Sequence, residues 1–424
     1  MIQNNSQKVQ PGDTFVVIPN LKDREYLNEA LDKGAIHIVG LSTLKDFIPS
    51  HVQFTAVENP RAYLAQALTQ QRNDKQPRYC VAVTGTNGKT SVVHYLFEIW
   101  KRMDVRAGRL GTNGLAVNDK EASSSLTTPD PILFNQILQD IPADYFAFEA
   151  SSHGLDQHRI DGVKLSAVGF TNLTQDHLDY HHTMENYFLA KRRLFTELAD
   201  KETLKVIYKG DPYGRRLLAE NLPNTVSYDA IPKVNNLKIF GSAQIQNLNA
   251  AILLSGFSFD SIKDILPELE APIGRFQFVG YSKMMAKVFV DYAHTPHALE
   301  NVLKTARELT SRKVIVVFGC GGDRDKTKRP LMGRIASNLA DIVFVTDDNP
   351  RFENPELIRF DILKGAEHAF EISPREEAIF RAVQMAQEDD IVVIAGKGHE
   401  EYQDCQGIRY KLSDKTVALD ALNY

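Results

Sequence analysis

The stretch that decides the fold is "VAVTGTNGKTSVVHYLFEIW", residues 81–100. Its apolar, β-branched start reads as a buried strand, and the later residues Val93, Leu96, Phe97 and Trp100 recur at helical spacing. Between them lies Gly85-Thr86-Asn87-Gly88-Lys89-Thr90-Ser91. Glycines there let the backbone wrap phosphate oxygens, and a helix N-terminus offers unpaired N–H groups and positive potential. Lys89 can then reach terminal phosphates and Thr90 a magnesium ion. The spacing is tighter than G-x-x-x-x-G-K-[ST], because Val83 stands where the first glycine would be. A tight turn followed by an unrelated lysine is the alternative, and the strand-to-helix context argues against it.

Length and charge bound the rest. A chain of 424 residues with 43% apolar content has room for roughly three domains. A net charge of -5 gives no basic surplus for a nucleic-acid backbone. Cys80, Cys320 and Cys405 have neither paired nor metal-type spacing, which suits a reducing compartment and structural roles. The opening "MIQNNSQKVQ" has no basic or apolar leader, and no run approaches the ~20 apolar residues of a membrane span. The expectation is a cytoplasmic protein with small-molecule partners, no nucleic acid, no membrane span, and a monomeric state.

Element order predicts an α/β protein of three units. Residues 1–77 read as a small N-terminal α/β domain, with strands in "TFVVI" (14–18) and "AIHIV" (35–39) and helices around Leu27, Ala30 and Leu31 and over 60–71. The polar run "QQRNDKQPR", 70–78, reads as a linker. Residues 78–271 read as a central phosphate-loop ATPase domain with a parallel sheet that includes "YFAFEA" and "LSAVGFTNL". From 272 to 424, "KVFVDYAH", "KVIVVFG", "DIVFVTD" and "DIVVIAG" alternate with helical stretches at 298–309 and 376–387, which predicts a Rossmann-like parallel sheet.

Three further segments carry chemistry. Glu149 closes the strand "YFAFEA", a position from which a carboxylate reaches a metal beside a phosphate loop, although a polar strand end reads the same way. Asp176, His177 and Asp179 follow another strand and precede a helix bearing Lys191; the H-x-x-x-H-H spacing is not a clean zinc pattern. Lys191 on its own, beside Arg192 and Arg193, reads as a solvated helix lysine. In "TDDNPRFENPE", 346–356, Arg351 belongs either to a ligand loop at a strand's carboxyl end or to a helix entry in which Asn349 caps and Pro350 starts the helix.

The motifs "GTNGKT", "TTP" (127–129), "EASSHGL", "NLTQDHLDYH", "AKRRLF", "DYAHTP" (291–296), "CGGDRDKTKRPLMG" (320–333), "DNPR" (348–351) and "AGKGHEEYQ" (395–403) occur in the order seen in the Mur ligases. The chain resembles that family over about 80–200 and 272–424, and within it the type that adds the third residue of the peptidoglycan stem peptide. The resemblance implies three domains and ATP-dependent amide formation: the D-glutamate γ-carboxylate of UDP-N-acetylmuramoyl-L-Ala-D-Glu becomes an acyl phosphate, which the amine of meso-diaminopimelate displaces. It implies magnesium held by Thr90 and Glu149, and a second metal position at His177, served by Lys191 as a carbamate (N6-carboxylysine). Lys89, Glu149, His177 and Lys191 are then catalytic. ATP contacts fall on Gly85 through Ser91 and on Asn247, Arg275, Asp291, Tyr292 and His294. Ser6, Thr127, Thr128, Ser151, Gln157 and Arg159 match positions that hold the UDP-muramoyl dipeptide. Arg324, Asp348, Asn349, Pro350, Arg351, Gly396 and Glu400 match the diaminopimelate site, where Arg351 grips the distal carboxylate.

The chain also departs from the family pattern. Asn5-Ser6-Gln7 stands where "DSR" is usual, Leu126 replaces an asparagine, Gln244 replaces another, and Gln277 replaces a glutamate. The central domain reads as shortened between Phe195 and Gly241. An alternative is therefore a diverged paralogue with the same ligation chemistry on another carboxylate-bearing acyl carrier.

Overall fold

The computed structural model describes residues 1–20, 22–122, 126–229, 234 and 236–424. Its residues fall into two compact units, Met1–Asp229 with Ala250–Ser258, and Ala230–Asn249 with Phe259–Tyr424.

The first unit holds two sheets. Four short parallel strands, Ile2–Gln3, Thr14–Val16, His37–Gly40 and Gln53–Ala56, lie side by side in chain order. The helix Asp23–Asp32 buries Leu27 and Ala30, and Pro60–Arg72 buries Leu64 and Leu68, in the places the periodicity predicts. The polar run after it is anchored. Arg72 is buried and donates to Asn135 Oδ1 (2.9 Å) and Gly162 O (2.6 Å), and Gln76 Nε2 donates to Lys164 O (2.9 Å).

The second sheet is the large one, with eight strands in the order Thr225–Tyr228, Leu204–Tyr208, Ala167–Phe170, Tyr79–Thr84, Tyr145–Glu149, Ala107–Gly111, Gly114–Val117 and Lys120–Ala122. The first six run parallel and the last two add antiparallel strands. Buried on both faces, such strands must be apolar throughout, and "VAV", "FAF" and "AVGF" are. Tyr79–Thr84 is flanked by strands that follow it by different crossovers, so its carboxyl end faces a crevice where the strand order reverses. The helix Lys89–Arg102 packs Val92, Val93, Leu96 and Trp100 inward. Its fully buried Trp100 donates Nε1–H to Ser255 O (2.9 Å), so the indole is buried without losing its hydrogen bond.

In the second unit six strands are ordered Gln277–Tyr281, Lys287–Asp291, Ile391–Ala395, Val314–Phe318, Ile342–Val345 and Phe370–Glu371. Only the first is antiparallel. The helices Pro296–Glu308 and Arg375–Met385 match the expected ones within a few residues. The helix-entry reading of Asn349 and Pro350 is overturned. After Ile342–Val345 the chain stays in a loop until Pro355–Leu363, whose cap is Asn354, with its side chain accepting from Glu356 N.

Two buried arginines fix this sheet's carboxyl edge through ion pairs. Arg375, fully buried, forks onto both oxygens of Asp414 at 2.7 Å and also donates to Asp347 O and Ala395 O. Arg329 bridges Glu353 (2.8 Å) and Asp361 (3.2 Å), and it draws the Glu353 carboxyl down to about 2. Removing one partner of a buried pair strands the other charge. Asp414→Asn is therefore expected to cost about 3–5 kcal/mol in a denaturant titration; a loss below about 1 kcal/mol would show that Arg375 does not depend on the pair.

Candidate active site

The carboxyl ends of three neighbouring strands build the first cluster. From Tyr79–Thr84 the chain turns through Gly85 (φ 149°) and Gly88 (φ 86°) into the helix that begins at Lys89. A Cβ on Gly85 would lie 1.9 Å from Thr171 Oγ1, so only glycine permits this approach. Thr171 and Asn172, just beyond Ala167–Phe170, hold the loop: Thr171 Oγ1 donates to Asn87 O (2.6 Å), Asn87 N to Asn172 Oδ1 (2.9 Å) and Thr86 N to Asn172 O (2.9 Å). Thr86 Oγ1 also meets Tyr187 Oη at 3.1 Å.

Two lysines converge on this loop. Lys89 Nζ donates to Gly85 O and Thr86 O, both at 2.9 Å, and Lys191 Nζ donates to Gly85 O at 2.8 Å. Lys191 is only 1% exposed, so the solvated-lysine reading is overturned. Its helix turns it inward beside Tyr187, with the ammonium 4.7 Å from the ring centroid. Burial, and then the charge of Lys89, push its pKa well below the usual lysine value. A buried, readily neutral amine is the form that can add to carbon dioxide.

Glu149 ends Tyr145–Glu149, also 1% exposed. Its Oε1 accepts from Thr90 Oγ1 (2.9 Å) and Thr112 N (2.8 Å), and Oε2 from Thr112 Oγ1 (3.3 Å). A Cβ on Gly111 would lie 2.1 Å from Oε1, so the neighbouring strand is glycine where the carboxylate lies. Thr90 Oγ1 and Glu149 Oε1, 2.9 Å apart beside the loop, are both hard oxygen donors of the kind Mg²⁺ takes. His177 lies in the left-handed region (φ 52°), half-exposed, with its ring 6.0 Å from that of Tyr187. An unmodified Lys191 ammonium is no metal donor, and among the described residues no three His, Cys, Asp or Glu side chains are grouped to hold a metal.

A hydrogen-bonded strip continues from Glu149. Thr128 Oγ1 donates to Glu149 O (2.7 Å) and accepts from Ser151 N (3.0 Å), and Arg159 donates to Thr128 O (2.6 Å) and Gln157 Oε1 (2.7 Å). Thr127 joins through Thr112 (3.2 Å). The predicted Thr127, Thr128, Ser151, Gln157 and Arg159 are thus brought together. Ser6 stands apart, beside a cleft of about 530 Å³ lined by Asn4, Ser6, Gln7, Tyr26, Asp130 and Gln136, and its hydroxyl donates to Glu29 Oε2 (2.6 Å).

In the second unit, Asp291 ends its strand partly buried; burial raises its pKa to about 6 although it accepts from Phe276 N (2.6 Å) and Ala293 N (2.8 Å). Arg275 lies over the Tyr292 ring at 5.4 Å, with its carbonyl held by Gln244 Nε2 (2.8 Å), and His294 Nδ1 meets Tyr292 O (2.9 Å). Asn247 lies on the helix Ser242–Leu254. The predicted amino-acid cluster forms where Val314–Phe318, Ile342–Val345 and Ile391–Ala395 end. Arg351, at φ 50°, donates Nη1–H to Gly322 O (2.6 Å) and N–H to Asp404 O (2.9 Å). Asn349 Nδ2 donates to Glu400 Oε2 (2.8 Å), Gln403 Nε2 to Asp348 O (2.7 Å), and a Cβ on Gly396 would crowd Asp348 Oδ2 at 2.7 Å. Pro350 O lies 1.9 Å from where a Gly322 Cβ would be, and Arg324 is exposed on the same glycine-rich loop.

Sequence reasoning missed Thr112, Thr171, Asn172, Lys397 and Asp404. Thr171-Asn172 and Lys397 directly follow apolar strands, a signal of loop chemistry that was available. Asp404 acts on its cluster through backbone groups, and Thr112 through its N–H as well as its hydroxyl, and no residue type announces a backbone role.

The chain matches the family model for the Mur ligase middle domain over residues 83–238, and that for the Mur ligase glutamate ligase domain over 274–398. Two relatives named UDP-N-acetylmuramoyl-L-alanyl-D-glutamate--2,6-diaminopimelate ligase are similar over nearly the whole chain. The one from Agrobacterium fabrum is 39% identical over 99% of this chain and 92% of its own length, and the one from Mesorhizobium japonicum 42% over 99% and 94%. A solved structure bearing the same name superposes with a TM-score of 0.73 at 32% identity, covering 100% of this chain and 94% of that one. Because Glu149 occupies the space beside Gly111, Gly111→Ala is expected to leave the fold intact by circular dichroism while lowering ATP turnover by roughly 10- to 100-fold. Unchanged turnover would separate Glu149 from the chemistry.

Proposed function

The chain belongs to the Mur ligase family, and on that premise we propose that it joins meso-diaminopimelate to the D-glutamate γ-carboxylate of UDP-N-acetylmuramoyl-L-Ala-D-Glu, with ATP converted to ADP and phosphate. The observation that carries this reading is Arg351: a guanidinium held on a glycine-lined loop, two residues from Asn349, which donates to Glu400, and suited to a substrate that carries an extra carboxylate. Lysine ends in an ammonium at that point and would meet a like charge.

The reaction must bring anions together. Lys89 and the N–H groups at the N-terminus of its helix hold the ATP phosphates while a γ-carboxylate oxygen attacks the terminal phosphorus and ADP leaves. The amine of diaminopimelate then attacks the acyl carbon and phosphate departs. Thr90 and Glu149 would hold Mg²⁺, with His177 and a carbamate on Lys191 at a second position. The metal supplies screening of phosphate charge. Arg275, Asn247, Asp291, Tyr292 and His294 are assigned to the nucleotide, and Ser6, Thr127, Thr128, Ser151, Gln157 and Arg159 to the UDP-muramoyl dipeptide. Arg324, Asp348, Asn349, Pro350, Arg351, Gly396 and Glu400 are assigned to the amino acid. The proposed domains are 1–77, 78–271 and 272–424. The proposed setting is cytoplasmic and monomeric; no helix among the described residues is long and apolar enough to cross a membrane.

Mass analysis of a mixture of the enzyme, ATP, UDP-muramoyl dipeptide and diaminopimelate tests the reading. A UDP-tripeptide product supports it, and ATP hydrolysis without that product favours another acyl carrier. Arg351→Ala is expected to raise the KM for diaminopimelate with little change for ATP, lowering kcat/KM by a factor from about thirty to several thousand. Equal losses with lysine as substrate would remove Arg351 from substrate reading. Lys191→Ala is expected to lose activity and recover part of it with added short carboxylates; failure of every carboxylate to restore turnover would count against the carbamate.

A further inference from the structure

Fully buried lysines are rare and need compensating partners. Lys397, in the loop after Ile391–Ala395, exposes no side-chain surface. Its ammonium donates to Asn349 Oδ1 (3.0 Å) and Glu400 Oε2 (3.1 Å). Asn349 Oδ1 accepts a second bond from Asp404 N (2.9 Å), and Asn349 Nδ2 donates to Glu400 Oε2 (2.8 Å). Both lone pairs of that amide oxygen, and one of its two N–H donors, are engaged within the protein. Oε2 of Glu400 takes two donors, whereas Oε1 takes none among the described residues. Of the three side chains Glu400 alone retains access, at 18%, with Asn349 at 3% and Lys397 at zero. Asp404 ties this triad to the arginine loop, since its N–H holds Asn349 and its carbonyl holds Arg351 N (2.9 Å).

We infer that Lys397 is a positioning residue for amino-acid recognition: it locks Asn349 and Glu400 into one arrangement, leaving Glu400 Oε1 to receive an ammonium group of the diamino acid while Arg351 takes its carboxylate. This rests on the reading of the loop cluster as the diaminopimelate site. Its chemistry is that of a fixed charge pair with one oxygen in reserve. Without the buried cation, Glu400 loses the group that orients it, and Asn349 Oδ1 loses one of its two donors.

The test is steady-state kinetics on the full chain with ATP, UDP-muramoyl dipeptide and diaminopimelate. Lys397→Met keeps the aliphatic stem and removes the charge. Its KM for diaminopimelate is expected to rise roughly thirtyfold or more, while those for ATP and the UDP-dipeptide stay within about twofold. In a Glu400→Gln background the same substitution is expected to add less than about threefold, because Lys397 acts through Glu400. If Lys397→Met alone does not fold, Lys397→Met/Glu400→Gln, which leaves no unpaired charge, is compared with Glu400→Gln. A tenfold or larger difference between those two overturns the inference, as does an unchanged diaminopimelate KM or an equal rise in all three KM values in active Lys397→Met. An unsubstituted enzyme that does not consume diaminopimelate overturns the functional reading, and the inference with it.

Discussion

Two lysines share one carbonyl oxygen. Gly85 O accepts from Lys89 at 2.9 Å and from Lys191 at 2.8 Å, and neither bond is to a carboxylate. Two ammonium groups on a neutral acceptor repel, and in a buried place the repulsion is poorly screened. The arrangement is relieved by a neutral Lys191 or by conversion of Lys191 to an anion. Each outcome suits phosphate chemistry. The tight loop is what brings the lysines together, so the glycine at 85, the approach of Thr171 and the bonds from Asn172 all serve this one juxtaposition.

The parallel sheets make such crowding repeatable. Strands that start together also end together, so polar residues placed just past apolar runs meet without any being close in sequence. Lys89, Glu149 and Thr171 do so in one sheet, and Asp291, Gly322, Asn349 and Lys397 in the other. The supporting arginines are as desolvated as the charges of the site itself. Arg375 with Asp414, and Arg329 with Glu353, contribute order at the sheet edge more than net stability, because desolvation offsets much of their attraction.

Much of this was legible in the sequence. Period-two and buried strand patterns, the Gly-Lys-Thr turn and the order of nine motifs located the sheets, the phosphate loop and most of the clustered polar residues. What stayed hidden depends on three-dimensional closeness. Nothing in "AKRRLF" distinguishes Lys191 from the partly exposed Arg192 and Arg193 until the helix turns it inward. Asn349-Pro350 resembles a helix start as well as Asn354-Pro355 does, and only the second is one, because Arg351 in the left-handed region interrupts the first. Lys397 lies inside a quoted motif, yet its burial between Asn349 and Glu400 is a property of the packing. The departures at residues 5–7 and 126 have a partial account: Ser6 is engaged with Glu29, and Leu126 is largely exposed.

The chemistry reduces to one bond. If the phosphate loop serves acyl activation, an oxygen of the D-glutamate γ-carboxylate must be carried into the released phosphate. UDP-muramoyl dipeptide labelled with ¹⁸O in that carboxylate, incubated with the enzyme, ATP and diaminopimelate, gives the direct measurement. The expected result is one labelled oxygen per phosphate released, matched by loss of one label from the amide product. Unlabelled phosphate accompanying full product formation would contradict an acyl phosphate and the role assigned to the loop.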